Sequence, residues 1–196
     1  MIYDITQPLF ESVVWPGDPA PEHHMLSRIA DGAFCNVTAL SMCAHNGTHV
    51  DAPCHFLRDG KSIDQVALGK FVGMAYVVHR DGDITADDAR SILETARSAG
   101  KDAAKRILIG GKATVTLEAA RVFADAGIDL IGNESQTVGP ESGPMAVHLV
   151  LLGAEVVLLE GIRLGGVPDG MYLLNAAPLN LTGSDGAPCR AILMGD

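Results

Sequence analysis

Apolar residues recur at helical spacing in three segments of the chain. Between Thr85, a residue type that favours a helix N-cap, and Gly100, apolar side chains fall three and four positions apart. A second segment of this kind begins near Thr116 and stops at Gly127. The apolar run 146–152 predicts a third helix.

Short apolar or alternating segments, bounded by glycine, proline or charged turns, predict strands around these helices. The predicted strands comprise residues 2–5, 36–43, 71–79, 106–109, 128–132, 156–159, 173–175, 177–181 and 191–194. The pair His23 and His24 is assigned to a polar, solvated loop. Strand and helix alternate in the middle of the chain, whereas strands dominate both ends. This order predicts an α/β protein with a mixed sheet, and the lack of a linker or repeat predicts one domain over residues 1–196.

Composition and charge narrow the classes of partner. Hydrophobic residues make up 47% of the chain and charged residues 19%, as in a soluble globular protein. The formal net charge of −10 argues against nucleic acid and anionic membranes as partners. No segment is long and apolar enough to predict a membrane span, and residues 1–4 do not resemble the start of a signal peptide.

The four cysteines show no metal-binding or disulfide spacing. Cys35, Cys43, Cys54 and Cys189 contain no CxxC pair. Reduced thiols are typical of a cytoplasmic protein, and this is the predicted location.

The most informative segment is 45–55, which reads HNGTHVDAPCH. It contains three of the seven histidines and one aspartate, namely His45, His49, Asp51 and His55. Imidazole nitrogen and carboxylate oxygen together suit Zn²⁺, Mn²⁺ or Fe²⁺. The turn at Asn46 and the proline at 53 exclude an uninterrupted helix. His49 and Asp51 lie two apart in extended backbone and should therefore project to the same side, where a metal would gather them with His45. The alternative is an exposed polar loop without a ligand.

The pattern HxGTHxDxPxH in this segment resembles the signature of the metal-dependent cyclase/hydrolase family that includes bacterial kynurenine formamidases and isatin hydrolases. Further resemblances cover most of the chain and comprise Asp4-Ile5-Thr6, Trp15-Pro16-Gly17-Asp18, Glu160-Gly161-Ile162-Arg163-Leu164, Ala177-Pro178-Leu179 and the segment 185–191. The resemblance implies a swivelling β/β/α fold and a homodimer or higher homo-oligomer.

Site roles also follow from this resemblance. It implies that His45, His49 and Asp51 hold a first divalent metal ion and that His148 and Glu160 complete a second site. Zn²⁺ is the preferred ion, two ions per chain are allowed, and Mn²⁺ is the alternative. His55 matches the general acid/base of the family, and Trp15 matches an aromatic residue that contacts the substrate. Two of these residues have structural alternatives, because His148 lies in an apolar run typical of a core histidine and Trp15 can simply anchor a loop.

The implied reaction is hydrolysis of a small aromatic formamide of the N-formylkynurenine type by metal-activated water, with His55 relaying a proton. The alternative is a cyclic imide, lactam or lactone at the same centre. A metal-binding protein without turnover is the third possibility, which the extra histidine at 55 disfavours. Two departures bear on the substrate: the segment 106–117 is shorter than in formamidases, and 132–137 differs from the family's G-x-D-x-x-S pattern.

Overall fold

The computed structural model describes residues 1–195, within which the chain forms thirteen strands and three α-helices. The strands are β1 (Ile2–Asp4), β2 (Glu22–Ser27), β3 (Val37–Ser41), β4 (His49–Asp51), β5 (Val72–His79), β6 (Gly82–Ile84), β7 (Arg106–Gly110), β8 (Ala113–Val115), β9 (Leu130–Asn133), β10 (Val157–Glu160), β11 (Gly170–Asn175), β12 (Gly186–Pro188) and β13 (Ile192–Met194). The helices are α1 (Ala86–Ala99), α2 (Leu117–Asp125) and α3 (Met145–Gly153).

The main sheet is mixed. Its strand order is β1-β13-β11-β5-β7-β9-β10-β4-β12. The central strands β5, β7, β9 and β10 run parallel to one another, whereas the pairs on either side of them are antiparallel. Strands β2 and β3 form a separate antiparallel hairpin, and β6 pairs with β8 in a small parallel ribbon. The α/β class and the mixed sheet predicted from the sequence are therefore confirmed.

The helix boundaries follow from local capping. The Thr85 side chain accepts a hydrogen bond from the Asp88 N–H, while the Asp88 carboxylate accepts one from the Thr85 N–H, which forms a capping box at the start of α1. At the start of α2, Thr116 accepts a hydrogen bond from the Ala119 N–H at 3.2 Å. The Thr85 cap and a helix start near Thr116 were predicted from the sequence, because the signal for a helix start lies within four residues.

The centre of the main sheet is buried on both faces. In β7, Ile107 and Ile109 pack towards the helices, whereas Leu108 packs into the core on the opposite face. A central parallel strand therefore reads as an uninterrupted apolar run rather than an alternating one. Among the described residues, no helix combines the length and the hydropathy needed to cross a bilayer.

Two local predictions were wrong. Residues 177–181 form no strand, and the only ladder contact described for them is an isolated bridge between Pro178 and Cys189. Conversely, His23 and His24 lie in strand β2 rather than in a loop. Strand β3 lies within the predicted strand 36–43. Its partner β2 stands apart from both cores and most of its side chains are exposed, so no alternation of buried and exposed positions marks β2 in the sequence.

Candidate metal centre

A tight turn leads into β4 and is tied to the end of β10. The Cys43 N–H donates to the Asn46 side chain at 2.8 Å, and Gly47 adopts a φ of +70°. The Thr48 hydroxyl then donates to the Gly161 carbonyl at 2.7 Å. Thr48 also accepts a hydrogen bond from the backbone of Gln7 at 3.0 Å. The loop that carries the first histidine is thereby fixed against the residue that follows Glu160.

Pairing between β4 and β10 brings His49 beside Glu160. The two residues are cross-strand partners, and His49 Nε2 lies 3.4 Å from Glu160 Oε2. The same nitrogen lies 3.4 Å from Asp51 Oδ1, as expected for side chains two apart on one face of a strand. All three residues are buried.

His148 reaches the same point from α3. Its Nε2 lies 3.3 Å from Glu160 Oε1 and 3.6 Å from Asp51 Oδ2. Its Nδ1 donates to the Pro144 carbonyl at 3.0 Å, and His49 Nδ1 donates likewise to the Gly47 carbonyl at 3.0 Å. Such backbone contacts fix the tautomer and turn the free Nε2 towards a ligand, which is the usual support of metal-binding histidines.

His45 lies at the outer side of this cluster. Its Nδ1 is 2.9 Å from Asp51 Oδ1, and its Nε2 is 3.0 Å from Asp185 Oδ2. One ligand atom from each of His45, Asp51 and His55 lies within 4.8 Å of the others, and the same holds for His49, Asp51 and Glu160. The structure thus brings the five predicted ligands together, and Asp51 belongs to both groups.

The donor set fits a divalent cation. Asp51 is 1% exposed, and its Oδ2 atom has no hydrogen-bond partner among the described residues. Glu160, which is 3% exposed, uses Oε1 to accept a hydrogen bond from the Val138 N–H at 2.8 Å. A buried carboxylate oxygen without a partner is costly, and a cation between two such carboxylates and imidazole nitrogens removes that cost. The chemistry of the cluster, nitrogen and oxygen only, suits Zn²⁺ or Mn²⁺.

The charges of the carboxylates dominate titration in this cluster. Burial alone would lower the pKa of His148, but contact with Asp51 and Glu160 outweighs it and raises that pKa to about 10. In the same way, Asp51 and Asp185 overcome burial and raise the pKa of His45 to about 9. Burial likewise opposes a low pKa at Asp51, yet the surrounding histidines hold it well below its usual range.

His55 lies beside the cluster in a short turn at Pro53–His55. It is half-buried, and its Nδ1 lies 3.2 Å from Asp185 Oδ2. Sequence reasoning missed the role of Asp185, which contacts both His45 and His55. An aspartate before a glycine resembles an ordinary turn residue, so the only signal was the resemblance of segment 185–191. The contact becomes visible only when β12 pairs with β4.

A cavity of about 420 Å³ opens above this cluster. Besides the clustered histidines and carboxylates, its wall includes Trp15, Asp18, Cys43, Phe56, Gln136 and Pro144. A larger groove of about 800 Å³ lies near Asp4 and Arg190, but none of the clustered histidines or carboxylates lines it. The clustered histidines therefore open onto the smaller cavity, and Trp15 lies in its wall.

The atypical segment 132–137 supports the centre. The Asn133 amide donates to the Thr137 carbonyl at 3.1 Å, and Glu134 Oε1 accepts a hydrogen bond from the Leu164 N–H at 2.7 Å. Gln136 and Thr137 also line the cavity. The departure from the family pattern thus falls on residues of the cavity wall. It also directly precedes Val138, whose N–H donates to Glu160 Oε1.

Comparisons with known proteins agree with this geometry. Residues 3–140 match the family model described as "Putative cyclase". A kynurenine formamidase of Salinibacter ruber is 34% identical over 93% of this chain and 91% of its own length. A kynurenine formamidase of Sphingopyxis alaskensis is 32% identical over 98% of this chain and 97% of its own length.

Solved structures share the fold. One described as a potential metal-dependent hydrolase with cyclase activity is 28% identical and superimposes with a TM-score of 0.81 over 98% of this chain and 96% of that chain. Isatin hydrolase A of Labrenzia aggregata, 22% identical, shares the fold with a TM-score of 0.85 over 100% and 94% of the two chains. With a family model covering most of its length and near-full-length relatives above 30% identity, this chain belongs to the cyclase family.

Proposed function

We propose that this protein is a metal-dependent hydrolase that cleaves the carbon–nitrogen bond of a small aromatic formamide, of the N-formylkynurenine type. The kynurenine formamidases that match it over nearly their whole length support this substrate class. The observation that carries the proposal is the unpartnered, buried Oδ2 atom of Asp51, which lies 3.6 Å from His148 Nε2. His148 itself lines the cavity together with His45, His49 and Glu160.

The proposed ligands divide between two ions. His45, His49 and Asp51 hold the first, while His148 and Glu160 complete the second. The central position of Asp51 and the 3.4 Å separation of His49 Nε2 from Glu160 Oε2 support ligands shared between the two sites. Zn²⁺ is the proposed native ion because two or three imidazoles with carboxylates match its preferences, with Mn²⁺ as the alternative.

The protein's own groups then perform the remaining steps. When bound, a divalent ion at this cluster acidifies water and polarises the carbonyl oxygen of the substrate. His55 delivers a proton to the departing nitrogen, and Asp185, 3.2 Å from its Nδ1, orients the imidazole. The Trp15 ring forms one wall of the cavity and is proposed to contact the aromatic ring of the substrate.

The same centre is chemically suited to opening a cyclic imide, lactam or lactone, because the attacked group is again a carbonyl. The 28% identical structure, described as a potential hydrolase with cyclase activity, favours keeping this second candidate. Hydrolysis of isatin but not of N-formylkynurenine by the reconstituted enzyme would select it.

We further propose a single domain, a homodimer and a cytoplasmic location. The β2–β3 hairpin exposes large apolar side chains that a second copy would cover, namely Leu26, Ile29, Phe34 and Leu40. All four cysteines are free thiols, as expected in a reducing compartment. Sedimentation of the wild type against Phe34→Ser tests the dimer, because loss of the most exposed of these side chains should weaken it.

The function is tested by removing metal with a chelator, reloading Zn²⁺ or Mn²⁺ separately, and following N-formylkynurenine hydrolysis while counting bound metal. His49→Ala should lose metal and turnover, whereas His24→Ala, on the exposed face of β2, should lose neither. His55→Ala should keep its metal and lose on the order of a hundredfold in kcat. Full activity with metal bound in His49→Ala would refute the proposed site.

A further inference from the structure

Gln7 carries a buried side-chain amide beside the residue that follows Glu160. The Gln7 side chain is 8% exposed, and its Nε2 donates a hydrogen bond to the Gly161 carbonyl at 3.1 Å. Its Oε1 accepts a hydrogen bond from Arg163 Nη2 at 2.8 Å. A guanidinium only donates and a carbonyl only accepts, so these two partners fix which way the amide faces.

The backbone of Gln7 contacts the loop that leads into β4. Its N–H donates to the Thr48 hydroxyl at 3.0 Å, and that hydroxyl donates to the same Gly161 carbonyl at 2.7 Å. The Gly161 carbonyl therefore has two donors, one from Gln7 and one from Thr48, which matches its two lone pairs. Gln7 is thus hydrogen-bonded both to the loop of the first proposed ion and to the bend after β10.

The bend at Gly161 lies directly after Glu160. Gly161 has a φ of +69°, so the chain turns at this point. The carboxylate of Glu160 has little freedom, because its Oε1 accepts from the Val138 N–H at 2.8 Å while its Oε2 lies 3.4 Å from His49 Nε2. A shift of the bend therefore disturbs these contacts, and the Gln7 amide is one of the two groups that hold the bend.

We propose that Gln7 is a positioning residue of the metal centre, whose amide holds Glu160 at the spacing from the β4 loop that the second ion requires. This assignment rests on the proposed two-ion hydrolase, because it says which residue sets the geometry of that centre. Gln7 is not among the described residues that line the cavity above the cluster, so it acts through the chain rather than on the substrate. Replacing residues that orient metal ligands typically lowers metal affinity by about ten- to a hundredfold.

Gln7→Glu tests this role most directly, because it keeps the shape of the side chain and removes the amide. The Arg163 guanidinium keeps the new carboxyl group ionised near neutral pH. The oxygen that replaces Nε2 then faces the Gly161 carbonyl, and no proton lies between them. The matched control, Gln65→Glu, makes the same exchange at an exposed position where Gln65 Oε1 accepts from the Ser62 N–H, a bond that a glutamate also makes.

The first readout is zinc affinity. Metal-stripped wild type, Gln7→Glu and Gln65→Glu are titrated with Zn²⁺ against a competing chelator. We expect Gln7→Glu to bind the second ion about tenfold more weakly than the wild type. Its affinity for the first ion should be unchanged, because the N–H that bonds Thr48 is retained. Gln65→Glu should match the wild type for both ions. A general loss of stability would weaken both ions together, and that result would overturn the role of Gln7.

The second readout needs no metal. Hydrogen exchange of the Val138 N–H, followed by NMR in the stripped protein, reports on its bond to Glu160 Oε1. In Gln7→Glu this exchange should become about tenfold faster relative to the Leu108 N–H in the buried strand β7. Gln65→Glu should show no such change. Val138 exchange that follows Leu108 in Gln7→Glu would overturn the proposal, and so would an unchanged affinity for the second ion.

The outcomes separate this assignment from the proposed function. If the wild type binds no second ion, the two-ion centre fails, and the Val138 exchange alone then decides whether Gln7 positions Glu160. If Gln7→Glu does not fold, Gln7→Met removes the same side-chain hydrogen bonds without adding a charge, and the same two readouts decide the question.

Discussion

Returning Zn²⁺ to protein stripped of metal by a chelator should release protons from histidines of the cluster. Contact with neighbouring carboxylates outweighs the effect of burial and raises the pKa of His148 to about 10 and that of His45 to about 9, and the pKa of His49 is raised for the same reason. Near neutral pH, His148 and His45 therefore carry protons in the stripped protein. A histidine must be neutral to bind a metal, so binding should release about two protons per chain from this pair when both are ligands.

The cost of this deprotonation can be estimated from the pKa values. At about pH 7, the pH is about three units below the pKa of His148. At about 1.4 kcal/mol per unit, the deprotonation of His148 therefore opposes metal binding by about 4 kcal/mol. For His45, whose pKa is about two units above this pH, the corresponding cost is about 3 kcal/mol. A raised pKa keeps the imidazole protonated near neutral pH. Raising the pH towards that pKa increases the neutral fraction and so lowers the cost of binding the metal. The apparent affinity should then rise with pH by up to about tenfold per unit for each proton displaced, until the pH passes that pKa.

Isothermal titration calorimetry in buffers of different ionisation enthalpy counts the released protons. His148→Gln should release about one proton fewer, whereas His24→Gln, on the exposed hairpin, should match the wild type. Metal binding with no proton release, or with an affinity that does not change between about pH 6 and pH 8, would refute the assignment of these imidazoles as ligands.

Three further substitutions and one control test the surroundings of the centre and the cap of α1. Asp185→Asn should keep its metal but lower kcat by about tenfold in steady-state assays, because His55 loses its orienting carboxylate; an unchanged kcat would contradict that role. Gly161→Ala should lower the free energy of unfolding in urea by about 2–3 kcal/mol, since φ is +69° and the new Cβ would meet the Gln7 side chain and lie 2.8 Å from the Gly47 carbonyl oxygen. Gly165→Ala, with no neighbour within 4 Å, is its control and should change stability far less. Thr85→Ala removes the α1 cap and should cost about 1 kcal/mol in the same measurement; no loss would mean that the cap is dispensable.

Features encoded by neighbouring residues could be predicted from the sequence. The cap of α1 and the start of α2 near Thr116 depend on contacts three residues away, and the extended backbone of His49 and Asp51 follows from the adjacent turn and proline. The convergence of His148 and Glu160 on this segment was implied only by the family resemblance, because a histidine in an apolar helix is by itself typical of a core residue.

Features that depend on distant pairing could not be predicted. Asp185 meets His55 across 130 positions of sequence, through the pairing of β12 with β4. Strand β2 was missed for a different reason: it lies outside both cores, so burial imposed no periodic pattern on it, although its partner β3 was predicted within 36–43. The segment 177–181 has apolar residues but pairs only through the bridge at Pro178, because a proline lacks the N–H that a ladder needs.

The pairing of β4 between β10 and β12 also determines when the centre can be completed during synthesis. The chain presents His45 and Asp51 early to the ribosomal exit, but the strand that supports them on one side ends at Glu160, and the carboxylate that holds His45 and His55 follows only at Asp185. A nascent chain that ends before β12 lacks one of the two strands that flank β4. The complete proposed ligand set therefore exists only after Glu160 has been made, and His45 and His55 gain their contact with Asp185 only when β12 follows.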